Sequence, residues 1–477
     1  MLQGSNSATK VQKFSQALHF SSVGAFLSDL GLSNDIKLVW HTETRSENIC
    51  ETEKQTSGYI KIPNRDDTHY FYWYFESRNT PSADPLIVWI PGGPGEGGTY
   101  GLLAEIGPCA VNDDLSTTLN SHSWTSVANV VWIDVPGNAG FSYSTVAEDD
   151  EFTDERVAES IFWFLQIFIQ KYPELQGREL FLAGESYGGH FAASVANYIW
   201  SHQSKQTFPF ASAEINYINL RGITIGNGLV DPVEVFTHFV DMTTNSYNIS
   251  LVNELQLVAM KAAVPLCRDL MIHCQTNISV CGLAGYYCQQ TQLLPLLRAH
   301  RNPYDIRQEC QTSISNASAC MPQVSKIKDY LDSPKLRTFL GVHPSRREWI
   351  LLNSTINAAF FAAPSYSGYL SMDKSLSNLL DAGIRVLLYA GDADILCNVY
   401  ATEATAKKLN WSGAPGFNAV LERPYLVPLE TTKNIGTVQS YSQLTFVKVR
   451  NAGHMVPADQ PEVALDMITK FIRNQTF

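Results

Sequence analysis

A serine set between glycines, Gly184-Glu185-Ser186-Tyr187-Gly188, follows directly on an apolar run at 180–183 and leads into an alanine-rich helical pattern. Strand, sharp turn and helix is the context in which a G-x-S-x-G sequence lifts a serine hydroxyl clear of a sheet as a nucleophile. Ser186 needs strained backbone angles in such a turn, and side chains at 184 and 188 would collide with the neighbouring elements. The start of the following helix favours negative charge developing beside it. A serine hydroxyl is a weak nucleophile until a base takes its proton, and the base needs an acid to orient it. Two later strand ends offer both. The run 386–390 is followed by Gly391-Asp392-Ala393-Asp394, and 444–449 by Asn451-Ala452-Gly453-His454-Met455. Read alone, Asp392 and Asp394 are turn formers and His454 a capping residue before the last helix. In the chain order serine, aspartate, histidine they read as nucleophile, orienting acid and general base.

That constellation performs acyl transfer, which also needs N–H donors for the oxyanion. The backbone N–H of Tyr187, the residue after the nucleophile, is one. The second is expected from an earlier strand-to-helix loop. The run 86–90 leads into Pro91-Gly92-Gly93-Pro94-Gly95-Glu96-Gly97-Gly98, glycines dense enough to leave amides bare for a substrate. Pro94, inside the run Gly93-Pro94-Gly95-Glu96-Gly97-Gly98, counts against a dinucleotide loop, so no cofactor is expected.

Positioning these groups requires a sheet. Near-continuous apolar runs at 86–90, 129–133, 180–183, 222–225, 386–390 and 444–449 read as strands buried on both faces, the mark of a mainly parallel sheet. Between them lie helical patterns such as 157–170. The last helix, after Pro461, places Ala464, Met467, Ile468 and Phe471 on one face. Alternating strand and helix with this motif order predicts an α/β-hydrolase fold. From about 231 to 375 the strand runs vanish, while six of the nine cysteines and four of six N-x-S/T sequons appear. We read this as a mostly helical, disulfide-stapled cap inserted in a hydrolase domain spanning 36–477.

Composition is that of a globular protein, 45% apolar and 17% charged, and the net charge of −12 argues against nucleic acid or an anionic membrane as partner. No apolar run reaches the roughly 18–20 residues that span a bilayer. Residues 1–35 carry Lys10, Lys13 and Gln16 within an amphipathic pattern, so they read as a helical extension rather than a signal peptide. The cysteines point to an oxidising compartment. Cys267, Cys274, Cys281 and Cys288 recur every seven residues, which suits nested bridges 267–288 and 274–281. Zinc is the alternative, although these gaps exceed those of structural zinc pairs. Cys310–Cys320 and Cys50–Cys109 would complete four bridges, leaving Cys397 free. The sequons at Asn248, Asn277, Asn316, Asn353, Asn410 and Asn474 agree with a secreted or vacuolar/lysosomal glycoprotein.

From about Gly58 to Pro461 the sequence resembles the serine carboxypeptidases. The matching blocks are Trp89-Ile90-Pro91-Gly92-Gly93-Pro94-Gly95, Glu105-Ile106-Gly107-Pro108, Asp134-Val135-Pro136 with Gly140-Phe141-Ser142-Tyr143, and 184–190. Further blocks are Gly226-Asn227-Gly228, Gly391-Asp392-Ala393-Asp394 with Cys397-Asn398, and Gly453-His454-Met455-Val456-Pro457. The resemblance implies Ser186 as nucleophile, His454 as base and Asp394, the second aspartate of its motif, as orienting acid. It implies Gly93 and Tyr187 as oxyanion donors, and Cys397 and Met455 beside the substrate pocket. Gly92, Glu105 and Glu185 would bind the substrate's terminal carboxylate. The implied activity is acid-favoured release of a C-terminal amino acid from a peptide, since a protonated carboxyl can donate to a carboxylate and an ionised one repels it.

Two positions depart from the family. Its usual Asn before Gly92-Gly93, an amide that also holds the carboxylate, is Pro91, which donates nothing. A lost charge-assisted bond costs about 1.5–3 kcal/mol, or roughly ten- to hundredfold in binding. The usual Cys after Gly95 is Glu96, so one family disulfide cannot form. Pro91 motivates a second reading, an acyltransferase or esterase acting on a small acyl substrate with the same triad. A catalytically dead binding protein is a third, opposed by the intact triad.

Overall fold

The computed structural model describes residues 49–63, 65–204, 216–310, 320–321, 323–427 and 434–477. The extension expected at 1–35 and the sequon at Asn316 lie outside them. All six apolar runs are strands of one ten-stranded sheet. Numbered within that sheet, β1 is Gln55–Lys61, β2 His69–Phe75, β3 Leu86–Ile90, β4 Asn129–Ile133 and β5 Glu179–Glu185. β6 is Asn219–Gly226, β7 Arg385–Gly391, β8 Arg423–Leu426, β9 Asn434–Tyr441 and β10 Leu444–Val449. The spatial order is β1-β2-β4-β3-β5-β6-β7-β10-β9-β8. The centre from β4 to β10 is parallel throughout, with an antiparallel pair at each edge.

Burial on both faces explains the continuous apolar runs. Along β3, Leu86, Val88 and Ile90 enter the core on one face while Ile87 and Trp89 enter the core on the other. The first core is closed by α1 (Asp154–Lys171) and α2 (Gly188–Ser204). The second is closed in part by α7 (Pro461–Ile472), whose Phe471 meets Phe181 edge to face. This is the α/β-hydrolase arrangement. Because the central strands are parallel, their carboxyl ends share one edge of the sheet, and the glycine-rich loops at 91–98, 186–189, 391–394 and 450–455 open there.

A long segment leaves this frame after Val230 and returns at Met372, where the N–H of Met372 donates to the carbonyl of Val230 at 2.9 Å. Its first half contains α3 (Pro232–Thr237), α4 (Glu254–Cys274) and α5 (Cys281–Cys288), which build a separate small core. Disulfides Cys267–Cys288 and Cys274–Cys281 cross-link α4 to α5, and Cys310–Cys320 and Cys50–Cys109 are also bonded. Their sulfurs are therefore committed to each other rather than to zinc. The segment differs from the expected strand-free cap in one respect: Arg301–Asn302 and Asp305–Glu309 form a two-stranded ribbon. These strands are short and mostly polar, so no apolar run announces them. The second half returns to the main body. Leu336 and Leu340 join the core of Trp73, and Phe360 of α6 (Ser354–Phe360) packs on Tyr187 and Phe191.

The Cys50–Cys109 bridge spans 59 residues and anchors the turn that follows Glu105. Closing so long a loop restricts the unfolded chain, worth about 2–4 kcal/mol. C50S/C109S should lower the urea midpoint, with an m value that rises because the freed unfolded chain exposes more surface; an unchanged midpoint would show that the bridge is not structural.

Candidate active site

Ser186 stands where β5 turns into α2, with φ of 57°, a left-handed conformation that costs a non-glycine residue about 1–3 kcal/mol. Three backbone hydrogen bonds hold it: its N–H donates to the Gly226 carbonyl at 3.1 Å, and its carbonyl accepts from Gly189 at 3.0 Å and Leu229 at 2.9 Å. The flanking glycines are steric necessities. A Cβ on Gly184 would lie 2.1 Å from the Gly188 carbonyl oxygen, and one on Gly188 would lie 2.4 Å from that of Ile90.

Asp394 is fully buried, and its Oδ2 meets Nδ1 of His454 at 2.7 Å. The same oxygen accepts from the side-chain amide of Asn227 at 2.9 Å and the N–H of Cys397 at 3.1 Å, while Oδ1 accepts from the N–H of Leu396 at 2.9 Å. Asp392, the alternative acid, turns the other way, to the phenol of Tyr247 and the N–H of Asn451. His454 is buried and its own N–H donates to the Tyr304 carbonyl at 2.7 Å. The Tyr304 ring lies edge-on to the imidazole, with centroids 5.1 Å apart. Burial opposes charging of His454, but the charge and hydrogen bond of Asp394 outweigh it and hold the imidazole above its ordinary value.

The remaining expected residues gather around these. Cys397 is buried with its thiol in hydrogen-bond contact with the Ser186 hydroxyl, and burial followed by the Asp394 charge pushes the thiol well up. Met455 receives a hydrogen bond on sulfur from Tyr100 at 3.5 Å. The N–H groups of Gly93 and Tyr187 donate to no carbonyl among the described residues. The Gly93 carbonyl is fixed by the side chain of Asn357 at 2.8 Å. Pro91 is buried at the end of β3.

Glu105 and Glu185 are each 7% exposed, and their side chains share a hydrogen bond, which requires a proton on one of them. Burial pushes Glu105 up to about 7. Burial, then the charges of Glu105 and Glu96, push Glu185 well up. Oε2 of each has no hydrogen-bond partner among the described residues. A third acid, half-buried Glu96, joins them: burial and Glu105 push it up to about 8, against the opposing pull of His454 and of the Gly92 N–H it accepts. Among the described residues no group of three or more His, Cys, Asp or Glu side chains is placed to hold a metal ion.

Three participants carried no role in the sequence reading. Asn227 bridges β6 and β7, donating to Asp394 and accepting from the N–H of Gly391 at 3.0 Å. Its signal was present: a polar residue between two glycines at a buried strand end. Tyr304 comes from the ribbon of the inserted segment, which no motif marks. Glu96 was visible only as a missing cysteine.

A family model for serine carboxypeptidase matches residues 46–474. The chain belongs to the serine carboxypeptidase family. Carboxypeptidase Y of Candida albicans is 35% identical over 426 residues, 88% of this chain and 74% of that one. Carboxypeptidase Y of Schizosaccharomyces pombe is 34% identical over 434 residues, 90% of this chain and 42% of that longer one. In three dimensions the chain is similar to a prohormone-processing carboxypeptidase from Saccharomyces cerevisiae, with a TM-score of 0.76 and 24% identity, covering 88% of this chain and 92% of that one. That likeness shows the fold. As a member of this family the chain is a serine hydrolase of carboxypeptidase type.

The glutamate pair ties stability to pH. Both folded values lie above the ordinary carboxyl value near 4.3. As pH rises past about 4.5 the unfolded chain releases protons that the folded chain retains, so stability contributed by the pair is present below that pH and is lost towards 7. Tm should therefore fall between pH 5 and pH 7.5, and fall less in Glu185→Gln, where a neutral amide replaces the shared proton. Equal falls in scanning calorimetry would show that the pair does not titrate in this way.

Proposed function

We propose that this chain releases single C-terminal amino acids from peptides through an acyl-enzyme on Ser186, best in acid. The observation that carries this reading is the buried Glu105–Glu185 pair, whose second member is the residue before Ser186. With Nδ1 of His454 bonded to Asp394, Nε2 is left to accept the Ser186 proton. Ser186 Oγ then attacks the scissile carbonyl, and the oxyanion forms against the N–H groups of Gly93 and Tyr187. Collapse breaks the C–N bond, the leaving nitrogen takes the proton from Nε2, and water repeats the sequence on the acyl-enzyme. The leaving residue's carboxylate binds at the Glu105–Glu185 pair, which donates only while it holds its proton; the Gly92 N–H beside it is already given to the Glu96 carboxyl. Cys397 and Met455 line the pocket.

Carboxylate recognition therefore strengthens as pH falls, while protonation of His454 limits kcat from the acid side. Pro91 supports a second reading, transfer of the acyl group to an acceptor other than water or cleavage of esters. We read 36–477 as one hydrolase unit with 231–375 as its cap, because Tyr247 and Tyr304 of that segment reach the Asp392 and His454 loops. We place the chain in an oxidising compartment, secreted or vacuolar/lysosomal, consistent with its four disulfides. Among the described residues no helix is long and apolar enough to cross a membrane. Asn248, Asn277, Asn410 and Asn474 are exposed and suit glycans. Asn353 suits one less, since its amide donates to the carbonyl of Asn138.

One acyl group presented as peptide acid, peptide amide and ester separates the readings. The acid should be preferred over the amide at pH 5, with that preference falling about tenfold or more by pH 8 as the pair loses its proton. No advantage for the free carboxylate at any pH would rule out the carboxypeptidase reading and favour the transferase or esterase. A phosphonate should label Ser186, and Ser186→Ala should abolish both turnover and labelling. Asn227→Ala removes a hydrogen bond to a charged group, so kcat should fall about ten- to hundredfold, with KM for the acid changed far less; a KM effect alone would remove Asn227 from the positioning of Asp394.

A further inference from the structure

We infer that Glu96, in its protonated form, is the third donor to the substrate carboxylate and takes over the task that Pro91 cannot perform. The inference rests on the reading that Glu105 and Glu185 bind the leaving residue's carboxylate. Glu96 lies five positions after Pro91 in the same loop, and its backbone pairs with Leu352 across that loop's rim. Its carboxyl accepts from the N–H of Gly92, which fixes it beside the oxyanion loop. Five titratable groups surround it: Tyr100, Glu105, Glu185, Tyr304 and His454. Only His454 among them can carry positive charge. Burial and the neighbouring Glu105 push the Glu96 carboxyl up to about 8, so the proton stays on at neutral pH and below. A neutral carboxyl has an O–H to give, and the bond Glu96 makes among the described residues uses it as acceptor, not donor. Glu96 is half-buried rather than sealed, so its carboxyl can be reached from outside the core.

Carbon-for-carbon, this is a different solution from a side-chain amide. An amide donates at every pH; a carboxyl donates only until it ionises, after which it repels. Binding of a free carboxylate then depends on two protons, one on the Glu105–Glu185 pair and one on Glu96, so its loss with rising pH should be steeper than a single ionisation gives. Glutamine at position 96 would restore a donor that never ionises.

The test measures kcat and KM separately for a blocked dipeptide acid and the ester of the same acyl group, from pH 4.5 to 8, with the full chain, Glu96→Ala and Glu96→Gln. Phosphonate titration of Ser186 confirms that each variant is folded. Glu96→Ala should raise KM for the acid and cut the acid-to-ester ratio of kcat/KM about tenfold at pH 5. Glu96→Gln should keep the ratio at pH 5 and hold the low KM to a higher pH than the unsubstituted chain. An unchanged or lowered KM in Glu96→Ala would overturn the inference, the lowered value showing that Glu96 instead competes with the substrate carboxylate. So would a Glu96→Gln profile that follows the unsubstituted chain. If the unsubstituted chain showed no preference for the acid, the reading of Glu105 and Glu185 would fall, and this inference with it; if that preference stood while Glu96→Ala left it intact, only the role of Glu96 would fall.

Discussion

Asp394 is buried out of reach of water, and four hydrogen bonds converge on its carboxyl group. His454, the Asn227 amide and the N–H groups of Leu396 and Cys397 supply them. A buried anion left short of partners costs several kcal/mol, so each donor must be delivered accurately. Each comes from a different constraint. Asn227 sits at the end of β6, Leu396 and Cys397 on the loop after β7, and His454 on the loop after β10. The parallel register that aligns those three strand ends is therefore a requirement of the electrostatics as much as a result of burying β-branched side chains.

The glutamates on the other side of Ser186 satisfy the opposite condition. Asp394 accepts four hydrogen bonds, whereas Glu105, Glu185 and Glu96 have few donors, and burial pushes their carboxyl groups up. Two kinds of carboxyl group thus lie near one hydroxyl: an acceptor that meets the imidazole and, on the proposed reading, donors to the leaving residue. The distinction comes from hydrogen-bond supply, since all four are withdrawn from solvent to a large degree. On the proposed reading, it would let an acidic site recognise an acidic substrate group without an arginine or lysine among the groups that act on these carboxyls.

The inserted segment completes the site from above. Tyr304 fixes the backbone of His454, and Tyr247 holds Asp392 away from it. Disulfides between α4 and α5 staple a small core to which Ala393, Ile395 and Ala401, beyond β7, also contribute. The segment's second half instead buries apolar side chains against the main cores, with Phe360 of α6 packed directly on Tyr187. The nucleophile turn is therefore braced from both the sheet and the segment that covers it.

Much of this was legible in the linear sequence, and the reason is local. The six parallel strands are continuous apolar runs because they are buried on both faces, and all six were read as strands. The antiparallel edges were not: β1, with Gln55, Thr56 and Ser57, and β8, with Arg423 and Pro424, carry mixed patterns that only pairing with a neighbour resolves. Ser186, His454 and the Asp392/Asp394 pair were visible because strained turns demand glycine and leave a signature. Residue types and spacing alone left Asp392 and Asp394 equivalent; the direction in which the loop after β7 turns decided which one meets His454. Asn227 and Tyr304 act through bonds to residues more than 140 positions away, a relation no local pattern encodes. Glu96 shows the division most plainly. Its identity is written in the sequence as a departure from a family pattern, but its tendency to hold a proton comes from burial, Glu105, His454 and the Gly92 amide, which only the folded chain brings around it.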